Sequence, residues 1–528
     1  MTHHVSIFDI PHITEVIGSY LERQDLLSCT FVNRAFYHIF NPLLWNELAF
    51  EQSPDKTEKE LDPIQKDAFL NKASLARILC IETACRYKGL PELLSISSCK
   101  RLKIMKSIVS SHNGEDMSPV LYLLMITANN KHLDSWSLGS WVKLTPDVFW
   151  LMTMTLTEIT TSLSDLELGF SFNPPKGWFP QLLKRLPLTL KSLYMFWTPP
   201  MPRVEREVCQ FSNQPWPEAY PCLETMTLSL SVDEGAEERL FFQFLERCSA
   251  LVKLGCPRFS SNGAFGDFVT VLETPRVMPA LKELDIGWQP VGDQWDRLVL
   301  AIQGRVHRFT TDSDTTLLLP DTMSLLTTHW SRTLESLRLP RLLNENIELI
   351  LTKCSNLKKF DCMWTVNRVT EVESNDMEGL TDWTCTGLED LRLAFADGRG
   401  ESVEEPVLSM QEKRAIRRIH RAYKQIGRLT KLKSLTIGWR ASDKFKHRAN
   451  LDLSKKNGLE LWANLKGLNK LDITQLRHLN IGVEEVQWIV THWRQLKKIR
   501  GLTHRLEKGP EPDYIVRLRH GLPDLVLT

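Results

Sequence analysis

One pattern constrains this chain more than any other. A six-residue core, apolar-x-x-apolar-x-apolar, returns fifteen times in order. It reads LARILC from Leu75, LKIMKS from Leu102, LDSWSL from Leu133, LSDLEL from Leu163 and LKSLYM from Leu190. It continues as LETMTL from Leu223, LVKLGC from Leu251, LKELDI from Leu281 and a weaker VHRFTT from Val306. The last six are LESLRL from Leu334, LKKFDC from Leu357, LEDLRL from Leu388, LKSLTI from Leu432, LNKLDI from Leu468 and LKKIRG from Leu496. Steps between starts run mostly from 23 to 33 residues, with two insertions that lengthen them to 44 and 36. Each core ends in strand alternation and follows a helical-looking segment, such as 345–352 or 484–492. One strand plus one helix cannot enclose its own apolar face, so such units must stack. An ordinary α/β domain with leucine-rich strands would not keep fifteen copies in steady order. The expectation is an α/β repeat array over residues 73–528.

The first fifty residues read differently. Pro11 suits a first helical turn, where its missing N–H would be unpaired anyway. Ile13, Val16, Ile17, Tyr20 and Leu21 then form one apolar helical stripe. Asp25 offers an N-cap to a second helix, on which Leu26, Leu27, Cys29, Phe31, Val32, Ala35, Phe36, Ile39 and Phe40 cover most of the circumference. Asn41-Pro42 is expected to end it, leaving 43–48 as a short third segment. A module of about forty residues cannot enclose that much apolar surface alone. The surplus faces either the repeats, as a plain helical cap, or another protein.

The order Ile10-Pro11, Ile13, Val16-Ile17, Tyr20-Leu21, Asp25-Leu26-Leu27, Cys29, Val32-Asn33, Phe36, Pro42 and Leu44-Trp45 resembles an F-box. That family's pattern runs leucine-proline, spaced aliphatics, a D-L-L step, a V-C-x-x-W segment and a final L-W. Here Ile10 stands for the leucine, and Asn33 with Phe36 for the cysteine and tryptophan. The resemblance implies a three-helix F-box over 1–50 that docks on a Skp-type adaptor, and through it on a cullin–RING ubiquitin ligase. It implies adaptor contacts at Ile10, Pro11, Ile13, Val16, Ile17, Leu21, Leu26, Leu27, Val32, Phe36, Leu44 and Trp45. The fifteen cores resemble an irregular leucine-rich-repeat solenoid of the long-repeat kind found behind F-boxes in fungi. The period exceeds the commonest range, and no asparagine or cysteine ladder follows each strand. Residues 51–72 are polar and Pro-containing and read as the linker. A short linker would fix the repeats against the adaptor; a floppy one would not.

Several function classes find no support. The net charge is +1 over 528 residues, which gives no general reason to expect nucleic acid or an acidic membrane as partner. No stretch approaches 18 apolar residues, and the start lacks the charged and apolar regions of a signal peptide. Eleven scattered cysteines without a C-x-x-C suggest reduced core thiols in the cytoplasm or nucleus. No phosphate-binding loop, nucleophile elbow, zincin motif or paired-cysteine zinc spacing occurs. Asp397-Gly398-Arg399-Gly400 reads as a flexible insertion, and His492 and His504 have no Cys or carboxylate at ligand spacing. We expect no metal, no cofactor and no catalysis by the chain itself.

Two features could describe a target-binding surface. Six repeats place an aromatic two residues after the core: Phe170, Trp197, Trp288, Trp364, Phe395 and Trp439. If the strand stays extended they share the parity of the core leucines and close the core as a column. If the strand has ended, the tryptophans, notably Trp288, Trp364 and Trp439, form a rim suited to binding. The second feature is charge: 413–448 holds 13 Lys or Arg against Asp443 alone. There Ile416, Ile419, Tyr423 and Ile426 make an apolar stripe, with Arg417, Arg418, Arg421 and Lys424 around it. That face is either merely solvated or accepts an acidic or phosphorylated segment. The leading expectation is a target receptor of a ubiquitin ligase; the alternative is a non-proteolytic, adaptor-bound scaffold or masking protein.

Overall fold

The computed structural model describes residues 11–50, 59–60, 67, 71–81, 87–88, 99, 101–109, 118–140, 144–158, 162–171, 174–197, 215–230, 235–259, 261–287, 293–311, 320–339, 341–342, 344–362, 364–365, 382–394, 421, 423–438, 453–455, 458–474, 481–502 and 512–527. The chain divides into two compact units, Met1–Ala264 with Pro275–Ala280, and Phe265–Thr274 with Leu281–Thr528. Each is an α/β stack of leucine-rich-repeat type.

In the first unit the parallel strands follow one another in chain order. They are β1 (Glu47–Phe50), β2 (Ile78–Ile81), β3 (Ile104–Val109), β4 (Ser135–Ser140), β5 (Asp165–Phe170), β6 (Ser192–Trp197), β7 (Thr225–Ser229) and β8 (Lys253–Cys256). The second unit repeats the arrangement with β9 (Glu283–Ile286), β10 (Arg308–Thr311), β11 (Ser336–Arg338), β12 (Lys359–Cys362), β13 (Asp390–Ala394), β14 (Ser434–Gly438), β15 (Lys470–Asp472), β16 (Lys498–Arg500) and β17 (Val526–Leu527). All fifteen sequence cores are strands. Two-residue alternation buries one row of each unit, Leu79–Met105–Trp136–Leu166–Leu193–Met226–Leu254 and Leu284–Phe309–Leu337–Phe360–Leu391–Leu435–Leu471–Ile499, and turns the intervening residues outward.

The first core needs a correction. Leu79 pairs with Met105, so the buried positions are Ala76, Leu79 and Ile81, one residue later than the LARILC frame expects. A one-residue slip exchanges faces, and Leu75 imitates the leading leucine without occupying its place.

A carbonyl ladder ties the repeats together. Within each unit the carbonyl just before most strands accepts two N–H groups from the next: Arg77 O from Lys103 N at 2.7 Å and Ile104 N at 3.1 Å, and Glu389 O from Lys433 N at 2.8 Å and Ser434 N at 3.0 Å. The ladder of the first unit starts at Asn46, whose carbonyl accepts from Arg77 N and Ile78 N at 2.9 Å each. The N-terminal helices therefore run straight into the sheet. Within the expected linker, Lys59–Glu60 pair in parallel with Tyr87–Lys88, and most of 51–72 lies outside the described residues.

Among the described residues three helices precede β1, cut differently from the expectation: α1 (Pro11–Ser19), α2 (Arg23–Thr30) and α3 (Arg34–Leu44). The expected continuous second helix breaks at 31–33, because Asn33 turns extended and its Oδ1 accepts from Phe36 N at 2.8 Å, capping a new helix. Pro42 does not end the chain's helical path; α3 carries it one turn from its C-terminus and stops at Leu44.

Helices lie between the strands: α4 (Ser118–Asn129), α5 (Pro146–Glu158), α6 (Trp178–Lys184) and α7 (Ala236–Leu245) in the first unit. The second has α8 (Asn262–Glu273, from Phe265 onward), α9 (Gln294–Ala301), α10 (Pro320–Trp330), α11 (Asn344–Lys353), α12 (Val483–His492) and α13 (Asp513–Gly521). Their buried indoles reach back one repeat. Trp178 Nε1 donates to Phe149 O at 3.1 Å, Trp330 Nε1 to Val299 O at 3.1 Å, and Trp462 Nε1 to Tyr423 O at 2.9 Å. Each thereby buries a large apolar ring and satisfies its own N–H. Phe170 and Trp197 are also buried, Phe170 edge-on to Phe149 and Trp178, so the core-column reading holds for these two.

Candidate functional site

The N-terminal helices carry an uncovered apolar surface. Phe40 and Leu26 are buried, and α1 approaches α3 so closely that a Cβ on Gly18 would lie 2.2 Å from Leu43 Cδ1. What remains outside is unusual for a soluble surface: Tyr20 is 84% exposed, Phe31 80% and Val32 63%, beside exposed Ile13, Val16, Leu27 and Tyr37. Of the expected adaptor contacts, Ile13, Val16, Leu27 and Val32 are exposed and Ile17, Leu21, Phe36, Leu44 and Trp45 are half-buried. Leu26 is buried within the module. Ile10 lies outside the described residues, and Pro11 opens α1. Tyr20 and Phe31 were not among the expected contacts. Phe31 caps the C-terminus of α2 with near-helical backbone angles and points its ring into solvent.

The basic stretch is only partly a free face. Arg417 and Arg418 lie outside the described residues, as do Trp288 and Trp439, while Trp364 opens a two-residue strand parallel to Arg341–Leu342. Arg421 is half-buried and forms an ion pair with Glu348 of α11 at 3.9 Å; the same carboxylate accepts from Trp383 Nε1 at 3.2 Å. Arg428 pairs with Asp382, and Gln425 Nε2 donates to the same carboxylate. The hydrogen bond from Arg428 holds the Asp382 carboxyl below the usual carboxylate range. Lys424 is exposed. Arg421 thus bridges neighbouring elements.

The strand face of the second unit presents a lattice of charges in register. Glu283 faces Arg308 at 2.7 Å, and Lys359 stands opposite Asp390. In the next row Asp361 lies between Arg338 at 3.7 Å and Arg392 at 3.6 Å. Just ahead of the strands, Glu335 meets Lys358 at 3.1 Å and Glu389 meets Lys433 at 2.9 Å. The Lys433 hydrogen bond draws the Glu389 carboxyl below its ordinary range. A shallow depression of about 220 Å³ opens on this lattice, lined among others by Arg338, Lys359, Asp361, Asp390 and Arg392. Its rim is charged and its floor is Leu337 and Phe360, an arrangement suited to polar side chains of a protein.

The strand face of the first unit is nearly uncharged in its third outward row. Ile108, Gly139, Gly169 and Phe196 stand side by side, and the Phe196 ring lies where a Cβ on Gly169 would be, 2.1 Å from its Cζ. Among the described residues no cluster of His, Cys, Asp and Glu could hold a metal ion, and no helix is long and apolar enough to cross a membrane.

No family model matches the sequence, and no curated protein matches it. Solved structures do show likeness. A yeast complex of Rad7 and Elc1 is similar over 100% of this chain and 98% of that one, at 12% identity and a TM-score of 0.36. The leucine-rich repeat-containing protein LegL7 from Legionella pneumophila is similar over 60% of this chain and 89% of that one, at 11% identity and a TM-score of 0.32. At these values neither likeness bears on function.

Proposed function

We propose that the chain is the target-binding subunit of a Skp–cullin–F-box ubiquitin ligase. Helices α1–α3 dock on a Skp-type adaptor, and the repeats hold a target protein. The chain performs no bond-making step; it raises the target's effective concentration beside a ubiquitin-charged enzyme. The observation that carries this reading is the exposure of Tyr20, Phe31 and Val32 with the repeats of the same unit in place. A plain helical cap would have turned that surface inward. Large aromatic and aliphatic side chains left bare on one small module are the composition of an interface core.

The test is affinity purification from the native cell with the proteasome blocked, comparing the natural chain with Phe31→Asp/Val32→Asp. The natural chain should recover a Skp-type adaptor together with a cullin, and the variant neither. Adaptor without cullin would favour a non-proteolytic scaffold. Recovery of neither by the natural chain would sink the reading.

A further inference from the structure

On the described strands of the second unit, charged residues in register face a neutral residue or an opposite charge, with one exception. Glu283 faces Arg308, Lys359 faces Asp390, Arg338 and Arg392 flank Asp361, and Asp472 faces Arg500. Lys470 of β15, however, lies directly opposite Lys498 of β16. Neighbouring strands are about 4.8 Å apart, and like charges at that separation repel. Lys497 adds a third ammonium group immediately before β16. Among the described residues none of these three lysines has a carboxylate within 4 Å, and the nearby Asp472 is already engaged by Arg500 at 3.9 Å and by the Thr474 hydroxyl at 2.7 Å. Among the described residues the strand pairs of this face neutralise their charges, and the lysine triad is left uncompensated.

We propose that Lys470, Lys497 and Lys498 form the anchor for a carboxylate-rich segment of the target protein, which deepens and rests on the receptor reading. Charge complementarity points to that occupant, since a run of Asp or Glu side chains relieves the repulsion that the empty face retains. Lysine ammonium groups act as point charges without the fork that selects phosphate bidentately, and Arg500, the arginine beside them among the described residues, is held by Asp472. Nucleic acid fits less well. The paired outward residues of β14–β16 are Ser434, Thr436, Lys470, Asp472, Lys498 and Arg500, so these strand positions offer no ring on which a base could stack.

The experiment uses the full chain and fluorescein-labelled deca-glutamate, read by anisotropy. Lys470→Glu/Lys498→Glu should weaken binding by about tenfold or more, while Lys470→Arg/Lys498→Arg should stay within about twofold. The charge-reversed variant should melt no lower than the natural chain, because like-charge repulsion is not increased; a binding loss with a lowered melting point would count as unfolding and against the proposal. Lys424→Glu, on the other basic segment, should leave the affinity within about twofold. Unchanged binding by the charge-reversed variant, or an equal loss with Lys424→Glu, would overturn the assignment. So would a deoxythymidine decamer bound as tightly with the same lysine dependence. Adaptor capture is scored separately on the natural chain: capture without peptide binding sinks only this proposal, and peptide binding without capture sinks only the ligase reading.

Discussion

Asn130 offers a stringent test of how the repeats are held. It is buried just after α4, and its side chain makes three hydrogen bonds. Its Oδ1 accepts from Leu102 N at 2.9 Å, and its Nδ2 donates to Cys99 O and Ile126 O, each at 2.7 Å. The Ile126 carbonyl sits in the last turn of α4, where no further backbone N–H can reach it. Asn130→Ala removes all three bonds at once. At about 1 kcal/mol or more for each buried group left unpaired, plus a small cavity, the loss should be roughly 3–5 kcal/mol. In a cooperative unit of this size that lowers the first thermal transition by roughly 5–10 °C, read by circular dichroism. Asn130→Asp separates the acceptor from the donors. A carboxylate can still accept from Leu102 N but confronts two carbonyl oxygens, so the folded state favours the protonated acid and raises its pKa. The deficit of Asn130→Asp relative to the natural chain should therefore be full at neutral pH and shrink as pH falls through that raised pKa. A cost under about 1 kcal/mol for Asn130→Ala would refute the reasoning.

Two further substitutions probe other repeats. Gly501 has φ +95°, and a Cβ there would lie 2.5 Å from the backbone of Thr474, so Gly501→Ala should destabilise the β15–β16 pair by about 2 kcal/mol or more in urea denaturation; an unchanged midpoint would contradict this. Burial pushes the Cys354 and Cys385 thiols up to about 12 from 9.0, so the folded state holds protons that the unfolded chain releases; stability should be whole below pH 9 and fall between pH 9 and 12, by about 1.4 kcal/mol per pH unit per thiol. Cys354→Ala/Cys385→Ala should flatten that slope, and an unaltered slope would show that other groups set it.

The strands were legible because each core leucine recurs at the pitch of one repeat and is followed by alternation, a signal local enough to read along the chain. Leu75 misled by a single residue, because nothing in its own segment distinguishes it from Ala76 until Leu79 is paired with Met105. β1 and β17 escaped because Glu47–Phe50 and Val526–Leu527 are short and lack the leading leucine. The break between α2 and α3 did carry a signal: Asn33 stands three residues before Phe36, as an N-cap should, but the surrounding apolar run concealed it. The charge lattice could not be read in advance. Its partners, Glu283 with Arg308 or Glu389 with Lys433, lie 25 and 44 residues apart and meet only when stacked in register. For the same reason a count of Lys and Arg over 413–448 could not reveal that Arg421 and Arg428 are engaged by acids of neighbouring elements.

The bare apolar surface of α1–α3 is the proposed adaptor-docking face. It is tested most directly by isothermal titration of the purified chain with a purified Skp-type adaptor. Phe31 is 80% exposed, so Phe31→Asp should leave the melting point nearly unchanged. Burying that ring against a partner contributes about 2 kcal/mol or more, and the variant should therefore weaken adaptor binding by roughly thirtyfold or more. Tyr194→Asp, at an aromatic that is 39% exposed on the strand face of the first unit, should bind as the natural chain does. Saturable binding that Phe31→Asp abolishes and Tyr194→Asp spares is the predicted result. No binding by the natural chain, or equal binding by Phe31→Asp, would contradict the account.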